Sequence, residues 1–131
     1  MDNNITEINI NDILIKHWIK FDYDLKNCYG YLHPHHLFTI KNSIHYKTLE
    51  SGNFDLYNIL ITTTDQKEHS EDLFKELIEN FSLDQLEKNK IVLSWSPVVN
   101  KFLIEDGCHR ITLYAYNQKT ETINQKFFKL K

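Results

Sequence analysis

The run from Lys101 to Tyr116 constrains the fold more than any other part of the chain. Lys101-Phe102-Leu103-Ile104 reads as a strand, Asp106-Gly107 as a tight turn, and Ile111-Thr112-Leu113-Tyr114-Ala115-Tyr116 as a helix. A strand that turns at once into a helix places the helix N-terminus at the strand's carboxyl end. Free backbone N–H groups and the positive end of the helix dipole collect there, so the turn is an anion site whose natural guest is phosphate. Arg110, in the first helical turn, is the only arginine in the sequence; every other cationic side chain is lysine. Its planar fork grips two oxygens at once, where lysine offers a mobile point charge.

The 131 residues suit one domain spanning 1–131, and 41% hydrophobic content is enough to bury a core. No apolar run approaches the ~20 residues that cross a bilayer. The start of the chain lacks a signal-peptide pattern, and Cys28 and Cys108 form neither a CxxC pair nor a disulfide framework. These features predict a reduced, cytoplasmic protein without a membrane partner. The net charge of −3, with lysines interleaved among Asp and Glu, argues against a nucleic-acid partner.

Along the chain, Ile5 to Ile10 alternates like a first strand, and Asn11 or Asp12 caps an expected helix carrying Ile13, Leu14, Trp18 and Phe21. Phe21 to Leu37 is aromatic-rich, with Phe21, Tyr23, Tyr29 and Tyr31 expected in core or pocket wall and breaks at Gly30 and Pro34. A helix is expected over Phe38 to Leu49 and a strand over Phe54 to Thr63. Ser70 caps the clearest helix, with Leu73, Phe74, Leu77, Ile78 and Phe81 on one face, and Ser82 to Gln85 matches a capping box. Ile91 to Trp95 and Phe102 to Ile104 form an expected hairpin, and Ile123 to Phe128 is expected to close the sheet.

Phe102-Leu103-Ile104-Glu105-Asp106-Gly107-Cys108-His109-Arg110-Ile111 resembles the strand, Asp-Gly-x-His-Arg, helix signature of the ParB/sulfiredoxin superfamily. His69-Ser70-Glu71-x-Leu73-Phe74, a helix and then Ile91-Val92-Leu93 fit the same pattern, so the similarity covers roughly residues 66 to 118. The chain is similar to small ParB-like proteins of bacterial surface-sugar and natural-product gene clusters. The resemblance implies a small α+β domain, a mixed sheet with helices packed around it. Members of the superfamily include chromosome-partition proteins that bind and hydrolyse CTP, sulfiredoxins that use ATP, and kinases of free serine. What the resemblance implies here is a phosphate cradle in which Gly107 lets the backbone approach and Cys108, His109 and Arg110 meet phosphate oxygens. Asp106 would orient the loop or position a metal or an acceptor hydroxyl.

The expected function is therefore nucleotide-dependent phosphotransfer to the hydroxyl of a small-molecule substrate, and the resemblance implies ATP or ADP on the turn with Mg²⁺ as companion ion. Asp106 and His109 are the catalytic candidates. Gly107, Cys108, His109 and Arg110 bind phosphate, and His69 and Ser70 offer a second anion-friendly helix start. Glu7, Asp22 and Asp24 are further candidates for accepting the hydroxyl proton. Two other readings stand beside this one: a binding module without chemistry, and an ATP-dependent sulfinic-acid reductase using Cys108. The latter rests on Gly107-Cys108-His109-Arg110, the tetrapeptide of sulfiredoxins, and on the depressed thiol pKa expected at a helix N-terminus. A plainer alternative has Arg110 and His109 merely satisfying Glu105 or Asp106. His33, His35 and His36, with His17, His45 and His69 elsewhere, match no metal-ligand spacing and are expected as solvated loop histidines rather than zinc ligands; no metal ligand set is assigned.

Overall fold

A computed structural model describes residues 5–131. It is a small mixed α+β fold, in agreement with the class expected from sequence. Strand β1 (Glu7–Asn9) buries Ile8 and leads through a short 3₁₀ turn into β2 (Ile13–His17). Strands β3 (Gly30–Leu32) and β4 (His35–Thr39) follow, then helices α1 (Ile44–Ser51), α2 (Asp55–Thr63), α3 (Glu71–Asn80) and α4 (Leu83–Lys88). The hairpin β5 (Ile91–Ser96) and β6 (Lys101–Asp106) feeds α5 (Cys108–Gln118), and β7 (Thr122–Asn124) and β8 (Phe128–Leu130) complete the order. No helix among the described residues is long and apolar enough to cross a membrane.

Six strands form one sheet in the order β3-β4-β2-β6-β5-β8, and β1 pairs with β7 in a separate ribbon. β2 runs parallel to β6, and β5 parallel to β8; the other pairs are antiparallel. The expected closing strand over Ile123 to Phe128 is thus two short strands in two different sheets. Ile123 faces Ile8 across the ribbon, and Phe128 lies beside Ile91.

Three segments differ from expectation. Ile13 to His17 is a central strand, not a helix. Ile13, Leu14 and Ile15 are consecutive and all fully buried, which a strand covered on both faces requires and an amphipathic helix does not allow. Asp55 to Thr63 is a helix, not a strand, despite its β-branched residues. Asn53 Oδ1 accepts from the Asp55 N–H at 2.9 Å to open it, Tyr57 and Leu60 share the buried face, and the Thr63 and Thr64 hydroxyls donate back to helix carbonyls. The expected helix over Phe38 to Leu49 is divided. Phe38 and Thr39 end β4, and only from Ile44, capped by Ser43 Oγ on the Tyr46 N–H, does a helix run on to the left-handed Gly52.

The capping serines are where the sequence puts them. Ser70 Oγ accepts from the Leu73 N–H and Ser82 Oγ from the Gln85 N–H, both at 3.1 Å. Helix α5 ties the fold together. Ile111, Tyr114 and Ala115 join the sheet-side core with Ile13, Ile15, Ile91 and Ile104, while Leu113 joins a second cluster with Ile44, Tyr57, Leu60 and Phe74 between the helices. Apolar residues all round one helix mean a helix buried on opposite sides, so its start is held rigidly between sheet and helical layer.

Candidate functional site

The site begins where β6 ends. Gly107 turns the chain at φ 104° and ψ 31° and serves as the N-cap of α5 without any side-chain capping bond. The first helix bond across the turn runs from the Ile111 N–H to the Gly107 carbonyl, at 2.9 Å, so the N–H groups of Cys108, His109 and Arg110 have no helical partner. The glycine is required twice over. Its φ lies in the left-handed region, and a Cβ there would stand 3.0 Å from Arg110 Nη2, 3.2 Å from Arg110 Nε and 3.2 Å from Ile91 Cγ1. The guanidinium therefore folds back over the turn, where it meets Asp106 Oδ2 at 3.2 Å.

This turn forms one wall of a cavity of about 530 Å³. Asp106, Gly107, Cys108, His109 and Arg110 all line it, and His69 faces them from the loop before α3, so six of the ten residues singled out from sequence meet around one space. Ser70 does not. Its hydroxyl accepts from the Leu73 N–H to cap α3, the structural role the sequence also offered for it, and it is not on the wall. Glu7, Asp22 and Asp24 are not on the wall either, which leaves Glu105 and Asp106 as its carboxylates. Neither Lys20 nor Lys26 is on the wall: Lys20 lies over the ring of Trp18, which does line the cavity, and Lys26 pairs with Asp24. In the aromatic segment, Phe21 and Tyr23 pack against the helix-side core, while Tyr29 and Tyr31 are exposed.

Two cations face the cavity, each beside a carboxylate: Arg110 with Asp106, and Lys16 with Glu105 at 3.7 Å. Glu105 also accepts from Ser94 Oγ at 2.6 Å, and that bond first, then Lys16, holds its carboxyl below the usual range. The plainer expectation, Arg110 satisfying Asp106, is thus part of the geometry, and the same arginine borders the cavity.

His17 and His45, expected in solvent, are instead at the centre of the site beside His109 and His69. His17 from β2, His45 from α1, His109 from α5 and His69 form a continuous file of rings. His17 and His45 stack at 5.2 Å, His45 meets His109 edge-on at 4.5 Å, and His109 meets His69 at 4.8 Å. His17 Nε2 accepts the Ile44 N–H at the start of α1, which requires its lone pair there. Burial first, then the neighbouring His109 and His35, pushes His17 down to about 3. Burial, then His109, His17 and His69, puts His45 well below the ordinary histidine value. Burial, then His69, takes His109 down to about 4. These three are neutral imidazoles at pH 7. His45 lines the cavity with its Nδ1 buried and unpartnered. The phenol of Tyr57, pushed up to about 12 by burial, lies 2.8 Å from His109 Nε2.

Cys108 departs from expectation. It packs against the sheet-side core, and burial, reinforced by Asp106, raises the thiol to about 11 against the opposing influence of Lys16 and Arg110. The helix start does not outweigh desolvation of the thiolate, so the expected depressed pKa is corrected to an elevated one.

Among the described residues no group of three or more His, Cys, Asp or Glu side chains is placed to hold a metal ion. The histidine rings pack against one another in stacked, edge-on and tilted pairs. A second cavity of about 350 Å³ opens between α3, α4 and α5. It shares Leu77 and Arg110 with the first, and adds the side chains of Asn80, Gln85 and Asn89 over Leu86 and Leu113. No family model, curated protein or solved structure matches the chain.

Proposed function

We propose that the protein binds the phosphates of ATP or ADP on the Gly107–Arg110 turn and transfers a phosphoryl group to the hydroxyl of a small substrate. The observation that carries this reading is the uncapped start of α5, aimed with the sole arginine at a cavity large enough for a small polyanion. Three N–H groups without a helical partner, Arg110 and Lys16 supply the positive charge that phosphate oxygens need. Phosphoryl transfer asks little covalent chemistry of a protein; positioning and charge neutralisation carry it. The second cavity, reached past Arg110, gives the rest of a nucleotide somewhere to lie, with apolar floor and amide side chains around it.

In the transfer, the acceptor oxygen forms its bond to the terminal phosphorus as the bond to the bridging oxygen breaks. The hydroxyl proton passes to Asp106, the more exposed of the two carboxylates on the wall. Arg110 is released from Asp106 towards the phosphates as they arrive. Mg²⁺ ordinarily takes only one or two protein carboxylates beside the phosphates, which suits a wall with two and no preformed cage. Bound there it would neutralise phosphate charge, with Glu105 as the carboxylate left to it. The resemblance of Asp106-Gly107-Cys108-His109-Arg110 to the ParB/sulfiredoxin signature supports the same reading. The elevated thiol pKa of Cys108 weighs against the reductase alternative.

A thermal-shift series with ADP, ATP and CTP, with and without Mg²⁺, on wild type and Arg110→Ala tests the reading. Saturating nucleotide stabilises the wild type by a few kcal/mol through mass action, on the order of 2.7 kcal/mol at a hundredfold excess over Kd. The variant loses that shift. Phosphorus NMR with pooled amino acids and sugars then separates transfer from binding alone, since a binding module leaves the nucleotide intact. No shift with any nucleotide ends the reading.

A further inference from the structure

Tyr57 sits on α2, far in sequence from the turn, and is 1% exposed. Its ring is packed edge-on to Phe54 and tilted against Phe74, both apolar, and edge-on to His45. The phenol oxygen has one side-chain partner, His109 Nε2 at 2.8 Å. A buried phenol keeps its proton and must place it on an acceptor. Among the described residues the acceptor in reach is that ring nitrogen.

We infer that Tyr57 is a positioning residue for His109: its O–H donates to Nε2, fixes the imidazole proton on Nδ1, and so presents a neutral N–H donor to the cavity. An imidazole that accepts at one nitrogen carries its proton on the other, and Nε2 is taken. The ring borders the cavity, so Nδ1 is the nitrogen left for a ligand. Protonating Nε2 would turn it into a donor facing the phenol and leave the Tyr57 proton without an acceptor in an apolar pocket. The low basicity of the ring, set by burial and His69, agrees with this. The consequence is a division of labour in the reading above, on which this one rests for its ligand: His109 donates to phosphate and does not take the hydroxyl proton, a task left to Asp106.

The test is long-range proton–nitrogen NMR of the histidines in wild type and Tyr57→Phe, followed by titration of each with ADP. In wild type, His109 shows a protonated Nδ1 and a bare Nε2, and in Tyr57→Phe that preference weakens or reverses. ADP affinity falls about fivefold in the variant, the cost of one neutral hydrogen bond. A merely structural role for Tyr57 would lower the melting temperature and leave the tautomer alone. A wild-type His109 protonated on Nε2 overturns the inference without any variant, so a poorly folding Tyr57→Phe does not protect it. A tautomer indifferent to the substitution overturns it too. If the tautomer behaves as stated but ADP does not bind, the positioning role stands and the nucleotide reading is what fails.

Discussion

The rings of His45 and His109 meet edge to face, 4.5 Å between centroids and 71° between planes, at the junction of α1 and α5. With His17 stacked beneath, three neutral imidazoles occupy a region where no carboxylate on the wall pairs with any of them. Each is a base whose folded pKa lies below the 6.5 of an unfolded histidine. Their contribution to stability is complete above pH 6.5. It is lost as the pH falls towards about 4 for His109 and about 3 for His17, because the unfolded chain takes up protons that the native state refuses. Each group removes up to ~1.4 kcal/mol per pH unit in that window. Urea unfolding between pH 7 and pH 4.5 should show a steep loss of stability, and His45→Phe should reduce the slope by about one proton. A flat profile would mean that these rings titrate normally.

Gly107→Ala should cost stability and disturb the site together. The left-handed φ of 104° costs a side chain ~1–3 kcal/mol, and the new Cβ would press on the Arg110 guanidinium and on Ile91. Ile91 is fully buried in the core and has little room to yield, so the guanidinium is the group that moves. Chemical denaturation gives the first effect, and loss of the nucleotide-induced melting shift gives the second.

Arg110 should behave differently. Its pair with Asp106 is an i,i+4 contact with the carboxylate largely exposed, so Arg110→Ala changes stability by no more than ~0.5 kcal/mol. Binding of ADP should nevertheless fall by more than about tenfold, the effect of losing a charge-assisted hydrogen bond. Arg110→Lys should not restore it, since a point charge cannot span two oxygens. Calorimetric titration of the three proteins distinguishes this from a guanidinium that serves only Asp106, for which all three would bind alike.

Cys108 should resist neutral alkylating reagents at pH 8. With a thiol raised to about 11 the nucleophilic thiolate is a minor species. Cys108→Ser should leave ADP binding within about twofold, because the N–H at this position belongs to the backbone. Rapid modification of Cys108 followed by mass spectrometry would restore the redox alternative.

The strand, Asp-Gly turn and helix around residue 107 were legible because all of their signals are local: strand propensity, a glycine and a change of period within sixteen residues. The serine caps at Ser43, Ser70 and Ser82 belong to the same kind of local chemistry, although only the last two were expected. Ile13 to His17 and Asp55 to Thr63 were misread because their type is decided by what covers them. A strand buried on both faces has no alternation to read, and a threonine-rich helix is rescued by bonds to its own carbonyls. Within the histidine file, His69 and His109 were marked by the motif around them, but nothing in the sequence joined His17 and His45 to them. His17, His45 and His109 sit on three elements, and only the chain path that places β2, α1 and α5 side by side makes neighbours of them.

The parallel pairing of β2 with β6 has one more consequence, in time rather than space. Ile13 lies beside Phe102, and Asp12 meets Lys101 across 89 residues of chain, so the centre of the sheet closes only by joining distant segments. Such long-range closure slows folding relative to local helix pairing. Lys16 and His17 come from one side of that seam and the turn at Gly107 from the other, so the cavity is complete only once the two are joined. The nucleotide proposed to bind there should accordingly leave the refolding rate unchanged and prolong the lifetime of the native molecule.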